Sequence, residues 1–230
     1  MTKEAALMYD YHIILDLEMN PVSKDDKQAY KSLRKETIEI GAVKLDKNFK
    51  IIDRFNIFVK PQYNHQVTPY ITKLTSIVST VTMKAPYFEE ALNSFVEWIG
   101  DTGLIRIYSW SNNDLHQLKT ECEFKNIEFP KNMKRWLDIQ KVFPKMMGLY
   151  NDRRHIALKE AVQYFNIEID NKKVHNALYD SELTTELLIY LLNGDYKKQV
   201  ECMRNFTQSK SKPENTIGDL FGDLLKQFTD

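Results

Sequence analysis

The sequence predicts an α/β domain in which helices pack on a mixed β-sheet. Two observations carry that reading. Three strand-like segments crowd the first 60 residues, and the rest of the chain alternates helical periodicity with short apolar strands. The longest apolar run, Leu187–Leu192, is far short of the roughly 20 residues that span a bilayer. At 230 residues, 43% hydrophobic and 28% charged, the composition is that of a globular chain and excludes fibrous and disordered classes.

Residues 11–17 (YHIILDL) read as a short buried strand with acidic residues at its end. Residues 18–36 are polar and contain Pro21 and Asp25-Asp26, the pattern of an exposed loop with room for a helical turn. Residues 37–45 (TIEIGAVKL) and 50–59 (KIIDRFNIFV) are β-branched and partly alternating. The short connection Asp46-Lys47-Asn48 makes them an antiparallel hairpin. Ala91, Leu92, Phe95, Val96 and Ile99 recur at helical spacing, which predicts a helix over 88–99. A strand over Leu104–Tyr108 follows, then a helical pattern carrying Leu115, Leu118 and Cys122. A strand-like or extended piece lies around Trp136–Val142, and helices are expected over Ala157–Phe165 and, more strongly, Ala177–Leu192. Beyond Asn205 the polar segment TQSKSKPEN leads to Ile217–Phe228, whose Ile217, Leu220, Phe221, Leu224, Leu225 and Phe228 share one helical face. The expected organisation is one domain over 1–204, a linker over 205–216 and an amphipathic helix over 217–230. That last helix either docks back onto the domain or binds a protein partner.

Lys plus Arg and Asp plus Glu number 32 each, so bulk charge gives no argument for a polyanionic partner, and any anion-binding surface must be local. Cys122 and Cys202 are isolated and lack zinc-ligand spacing, which reads as free thiols in a reducing compartment. The N-terminal MTKEAALMYD has no apolar core of a secretory signal, so the expected compartment is the cytoplasm and no membrane is involved. The five histidines form no H-x-x-x-H pair, which argues against a histidine-based zinc site.

The sharpest chemical feature is Asp16-Leu17-Glu18. Side chains two apart on a strand share a face, so both carboxylates project together. Two such charges in a partly buried place repel unless a cation lies between them, and oxygen ligands of this kind suit Mg²⁺ or Mn²⁺. Taken alone, the pair is also what a polar strand end looks like. Asp114 opens the helix after Leu104–Tyr108, and Asp180 opens the last strong helix. Either could simply serve the helix dipole or cap. His175 stands five residues before Asp180, about 500° of helix, so the two share a face only if His175 lies on the preceding loop.

The set says more than its members. D-x-E after the first strand, an Asp leading a middle helix and H-x₄-D leading a late helix resemble the DEDDh group of 3′→5′ exonucleases. The resemblance covers residues 10–195 and is carried by ILDLE, TIEIGAVKL, the stretch from Trp110 to Leu118, HNALYDSELT and Leu74-Thr75-Ser76-Ile77. The last has Ser where the family usually has Gly, which affects the local turn. The W-x-N-x-D form of Trp110, Asn112 and Asp114 is similar to the Eri-type exoribonucleases and the sporulation-inhibitor-like bacterial exonucleases.

The resemblance implies a ribonuclease H-like fold: a mixed central sheet, its first three strands antiparallel, flanked by helices. It implies that Asp16, Glu18, Asp114 and Asp180 hold two divalent ions, Mg²⁺ or Mn²⁺. Asp16 would bridge them, Glu18 and Asp180 would complete one position, and Asp114 would act largely through water. His175 would deprotonate the attacking water, a role that suits an imidazole of ordinary pKa near 6.5. The product would be a nucleoside 5′-monophosphate, cut from the 3′ end of single-stranded nucleic acid, RNA slightly favoured over DNA. Met19, Leu74, Thr75, Trp110 and Asn112 are the candidate substrate contacts, with Trp110 either a stacking platform or a core aromatic. Residues 131–159 carry eight Lys or Arg against Asp138 and Asp152, either a solvated loop or a track for the phosphodiester backbone. The competing readings are a non-catalytic nucleic-acid-binding module and a proofreading-type subunit of a DNA polymerase complex.

Overall fold

The computed structural model of the chain describes residues 3–147 and 155–193. Its sheet is organised around β1 (Tyr11–Pro21). With β2 (Lys35–Asp46), β3 (Ile51–Phe58), β4 (Ile105–Ser109) and β5 (Trp136–Asp138), the strand order is β3-β2-β1-β4-β5. β1, β2 and β3 pair antiparallel, whereas β1–β4 and β4–β5 pair parallel, so the sheet is mixed as expected. The expected hairpin turn forms, with the Asp46 carboxylate accepting the Asn48 and Lys50 amides at 2.8 and 2.9 Å.

β1 runs four residues beyond its expected end. The polar residues stay in the sheet because β2 starts at Lys35 and supplies a partner as far as Pro21, with a register shift between Glu18 and Met19. Pro21 is tolerated at a strand end, where its missing N–H leaves no ladder bond unmade. The polar connection holds α2 (Lys27–Ser32), whose first turn is capped by the Asp26 carboxylate accepting the Ala29 amide at 3.0 Å. Val22, Ala29 and Leu33 bury this excursion against Tyr63 and Phe124.

Alternation along β1 decides where the core sits. Ile13, Leu15 and Leu17 point to one face and pack with Ala91, Leu92 and Phe95 of α5 (Phe88–Ile99) and Leu118 and Cys122 of α6 (Asn113–Phe124). Asp16 and Glu18 point the other way, where α9 (Ala177–Asn193) packs on β1 and β2.

The segment around Trp136–Val142 departs from expectation. Only Trp136–Asp138 is strand, and Ile139–Met146 forms a helix, because the Asp138 side chain accepts the Lys141 amide at 2.9 Å and caps it. The helix Pro69–Thr75 lies outside the expected elements, although Thr68-Pro69 is a helix-start signal: Thr68 caps it and Pro69 opens it. The expected helix over Ala157–Phe165 is shorter, Leu158–Gln163. Among the described residues, no helix is long and apolar enough to cross a membrane. The linker over 205–216, the helix over 217–230, Cys202, Asp152, Arg153 and Arg154 lie outside the described residues.

Candidate active site

Three elements converge on the stretch of β1 that lies beyond its pairing with β4. The β1–β4 ladder ends at Ile14 opposite Tyr108, so Asp16, Leu17 and Glu18 have β2 on one side only. The open side is taken by the N-terminus of α6: the Leu17 amide donates to the carboxylate of Asp114, which is 4% exposed. On the face above lies the first turn of α9 with Asp180. His175 sits on the preceding bend, as its spacing from Asp180 required, in the left-handed conformation (φ 64°), and its amide donates to Asp180 Oδ2 at 3.2 Å. One ligand atom from each of Glu18, His175 and Asp180 falls within 4.8 Å of the others.

The electrostatics of this cluster are unfavourable as it stands. Burial, then the charges of Asp114, Glu18, Asp180 and Glu39, raise the Asp16 carboxyl well above the usual range. Burial, then Asp180, Glu39 and Asp114, push Glu18 up to about 9. Burial raises Asp114 to about 7 against the opposing hydrogen bond from Leu17, and Asp180 to about 6 against that from His175. Asp180 Oδ1 is buried and has no hydrogen-bond partner. An orphaned buried oxygen among four mutually repelling carboxyls is what a hard cation corrects, and the donor set is that of a divalent metal. His175 is lowered from the ordinary imidazole value, by burial first and then by Lys159, so it favours the neutral form that accepts a proton.

Three residues outside the expected site set build the frame. Glu39, opposite Glu18 in the ladder and fully buried, accepts Asn176 Nδ2 at 3.0 Å and the Ala177 amide at 3.1 Å. Asn176 turns its own carbonyl to the Tyr179 amide at 3.0 Å and so caps α9. Gly41, opposite Asp16, lets this helix descend onto β2: a Cβ there would lie 2.1 Å from the Leu178 nitrogen. The available signals were an acid inside the otherwise apolar TIEIGAV and an Asn three residues before Tyr179.

A cavity of about 500 Å³ opens beside the carboxylates. Of the expected substrate contacts, Met19 and Trp110 are in its wall, whereas Leu74, Thr75 and Asn112 are not. Trp110 is 7% exposed, donates its indole N–H to the Ile156 carbonyl at 3.2 Å and meets Phe143 edge-on, so it is a core aromatic that shows one edge to the cavity. Thr75 Oγ1 is committed to its own helix end, donating to the Ile71 carbonyl and accepting the Ile77 amide. Ser111 and Asn113, on either side of Asn112, line the cavity instead. None of the described Lys or Arg residues of 131–159 is in that wall, although Leu158 is, and Lys159 is held by Asn171 at 2.7 Å.

Fold and site together define an α/β domain of ribonuclease H-like fold with an acidic centre at its first strand. The exonuclease family profile matches residues 13–188, and the chain belongs to that family. Among relatives, it is 31% identical over 199 residues to a PolC-type DNA polymerase III of Clostridium perfringens, covering 84% of this chain and 12% of the polymerase. It is 25% identical over 150 residues to human ERI1 exoribonuclease 3, covering 62% of this chain and 43% of that protein. The chain thus spans less than half the length of either. The crystal structure of the nuclease domain of 3′hExo, a DEDDh family member bound to rAMP, aligns with TM-score 0.69 at 22% identity, covering 82% of this chain and 94% of that one. Cell-death related nuclease 4 aligns with TM-score 0.68 at 21% identity, covering 81% of this chain and 64% of that one. Both share the fold.

Proposed function

We propose that this chain is a metal-dependent 3′→5′ exonuclease that releases nucleoside 5′-monophosphates from single-stranded 3′ ends. The observation that carries the reading is the buried, unpartnered Asp180 Oδ1 among carboxyls whose affinity for protons is raised by burial and by one another. Asp16, Glu18, Asp114 and Asp180 would hold two divalent cations, Mg²⁺ or Mn²⁺. When bound, such cations lower the pKa of the attacking water and offset charge on the phosphoryl oxygens. The chain's own residues do the rest. A ring nitrogen of His175 takes the proton of the attacking water, its lowered pKa keeping the ring in the neutral form that can accept one. The His175 amide keeps Asp180 oriented through Oδ2, leaving Oδ1 available to hold a cation. Met19 and the edge of Trp110 flank the terminal nucleoside in the cavity. The buried Cys122 thiol accords with a reducing, cytoplasmic setting.

RNA is favoured as substrate, in keeping with the likeness to ERI1 exoribonuclease 3. A proofreading-type role on DNA is the second reading, favoured by the 31% identity to the PolC-type polymerase. Matched RNA and DNA oligomers, 5′-labelled and incubated with Mg²⁺ or Mn²⁺, separate the two. Stepwise loss of mononucleotides is expected, with Asp16→Ala and Asp180→Ala slowed on the order of 10³-fold or more while the fold persists. Tight binding with no turnover in any metal would replace the enzyme with a non-catalytic binding module.

A further inference from the structure

The cavity that holds the carboxylates has a second charged wall. Asp16, Asp114 and Asp180 account for its acids, and Arg34, Lys35 and His116 are the other titratable residues that line it. In a chain of zero formal charge this is the local cationic surface that a polyanion needs next to an acidic centre. It differs from the basic segment 131–159, whose described cations lie outside the cavity.

The placement of these residues is built, not incidental. Arg34 takes the left-handed conformation (φ 68°), which is unfavourable for a side chain of its size and is a kind of strain that concentrates at ligand sites. The bend is fixed on every side: the Arg34 amide donates to the Ala29 carbonyl at 3.2 Å, its carbonyl accepts the Val22 amide at 3.0 Å, and Leu33 is buried beneath it. The guanidinium lies 5.0 Å from the Tyr30 ring centroid. Gln117 Nε2 donates to the Lys35 carbonyl at 2.9 Å, tying the bend to the helix that carries Asp114 and placing His116 beside it. Among the described residues no carboxylate lies within ion-pairing distance of Arg34 or Lys35, unlike Lys125, which is paired with Glu36 and Glu121. Lys35 pairs with Pro21 and Asp16 with Gly41, so the two charges attach to the sheet five β1 residues apart, about 16 Å of strand.

We propose that Arg34, Lys35 and His116 form a second phosphate subsite, which takes a phosphodiester on the 5′ side of the scissile bond. This deepens the exonuclease reading and rests on it. The carboxylates engage the terminal phosphodiester only through cations, whereas this wall engages an upstream one directly. Lys presents a point charge and Arg a planar fork with five donors, both suited to a phosphodiester that does not react.

The test compares two substrates on the full-length chain in Mg²⁺: a single-stranded oligonucleotide, and the p-nitrophenyl ester of a nucleoside 5′-monophosphate, which carries the scissile phosphate alone. In the double variant Arg34→Gln/Lys35→Gln, kcat/KM on the oligonucleotide should fall on the order of tenfold relative to that on the ester, chiefly through KM. The salt dependence of oligonucleotide binding should become shallower by a slope of about one to two. The charge-preserving Arg34→Lys/Lys35→Arg variant should recover most of the loss, which a merely structural role would not allow. A proportional fall on both substrates, or no fall on either, overturns the proposal. If the wild-type chain hydrolyses neither substrate, the exonuclease reading fails by itself. Oligonucleotide anisotropy then judges the wall: equal Kd and equal salt slope in wild type and double variant would sink it.

Discussion

Glu39 and Ala177 are joined across 138 residues by one hydrogen bond: Glu39 Oε2 accepts the Ala177 amide at 3.1 Å. The bond places a carboxylate on the first turn of α9, where helix N–H groups have no intrahelical partner and the dipole favours negative charge. Its other oxygen holds Asn176, so the bend from His175 to Ala177 hangs on a single side chain of β2. Two strands and one helix thereby fix the distance between the imidazole and the carboxylates of β1.

Glu39 is accordingly a positioning residue. Glu39→Ala strands the Ala177 amide and the Asn176 side chain, and buried unmet donors cost about 1–3 kcal/mol each. Thermal melts should show that loss. The half-saturating Mg²⁺ concentration should also rise and kcat fall by more than tenfold, whereas Glu39→Gln, which keeps one acceptor, should recover most of the stability and part of kcat. A Glu39→Ala protein with wild-type Mg²⁺ dependence would reduce Glu39 to a packing role.

Gly41→Ala tests the close approach beneath the same bend. The added Cβ would meet Leu178 N at 2.1 Å and Ala177 C at 2.2 Å, backbone atoms that cannot swing aside. Displacing the helix should cost about 3 kcal/mol or more by urea denaturation, the upper range for an overpacked core. Activity should fall further than stability does, because His175 and Asp180 ride on the displaced turn. An unchanged urea midpoint would mean the helix has slack that this contact denies.

The carboxylates and the histidine were legible in the sequence because two-cation chemistry fixes residue type and allows few spacings. Asp114 was legible through its place at a helix start. Glu39 was not, since an acid in TIEIGAV reads as an interruption of an apolar strand until α9 is seen to need an acceptor there. Arg34 and Lys35 were hidden for a different reason. Their place in the cavity depends on β1 staying paired through Pro21 and on a left-handed turn at Arg34, and neither has a periodicity to read. The helix Pro69–Thr75 is too short for a hydrophobic repeat, although its start was spelled by Thr68-Pro69.

Ser76 ends that helix in the left-handed conformation (φ 64°), its amide donating to the Thr72 carbonyl at 2.9 Å. The turn geometry is kept at a steric cost that glycine does not bear. Ser76→Gly should therefore stabilise the fold by about 0.5–1 kcal/mol, net of the freedom glycine adds to the unfolded chain. That corresponds to a rise in Tm of roughly 1–4 °C in calorimetry. A drop in Tm would show that the serine side chain contributes something the backbone does not reveal.

The metal-free chain should lose stability as pH rises. In the folded state Glu18 titrates at about 9, Asp114 at about 7 and Asp180 at about 6, all above the ordinary carboxylate values near 4. Between those limits the folded chain binds more protons than the unfolded one, so the contribution is complete below about pH 4 and is lost as pH climbs through the folded values. His12 and His175 act in the opposite sense: burial, then Arg106, lowers His12 to about 4, and burial, then Lys159, lowers His175, so both cost stability as pH falls below about 6.5. Between about pH 6.5 and 8 the carboxyls should set the slope, and toward pH 9 the buried Cys122 thiol, pushed up to about 12, adds to it in the same sense. Melting in EDTA should fall between about pH 6.5 and 9, melting in Mg²⁺ should stay nearly level, and the gap between the two should widen. Asp16→Asn removes one of the carboxyls that must ionise as pH rises and should raise the EDTA melting point at the alkaline end by a few degrees, shrink the gap and abolish turnover. Parallel pH profiles in EDTA and Mg²⁺, or an Asp16→Asn variant that melts below wild type in EDTA, would mean that these carboxyls do not share a cation.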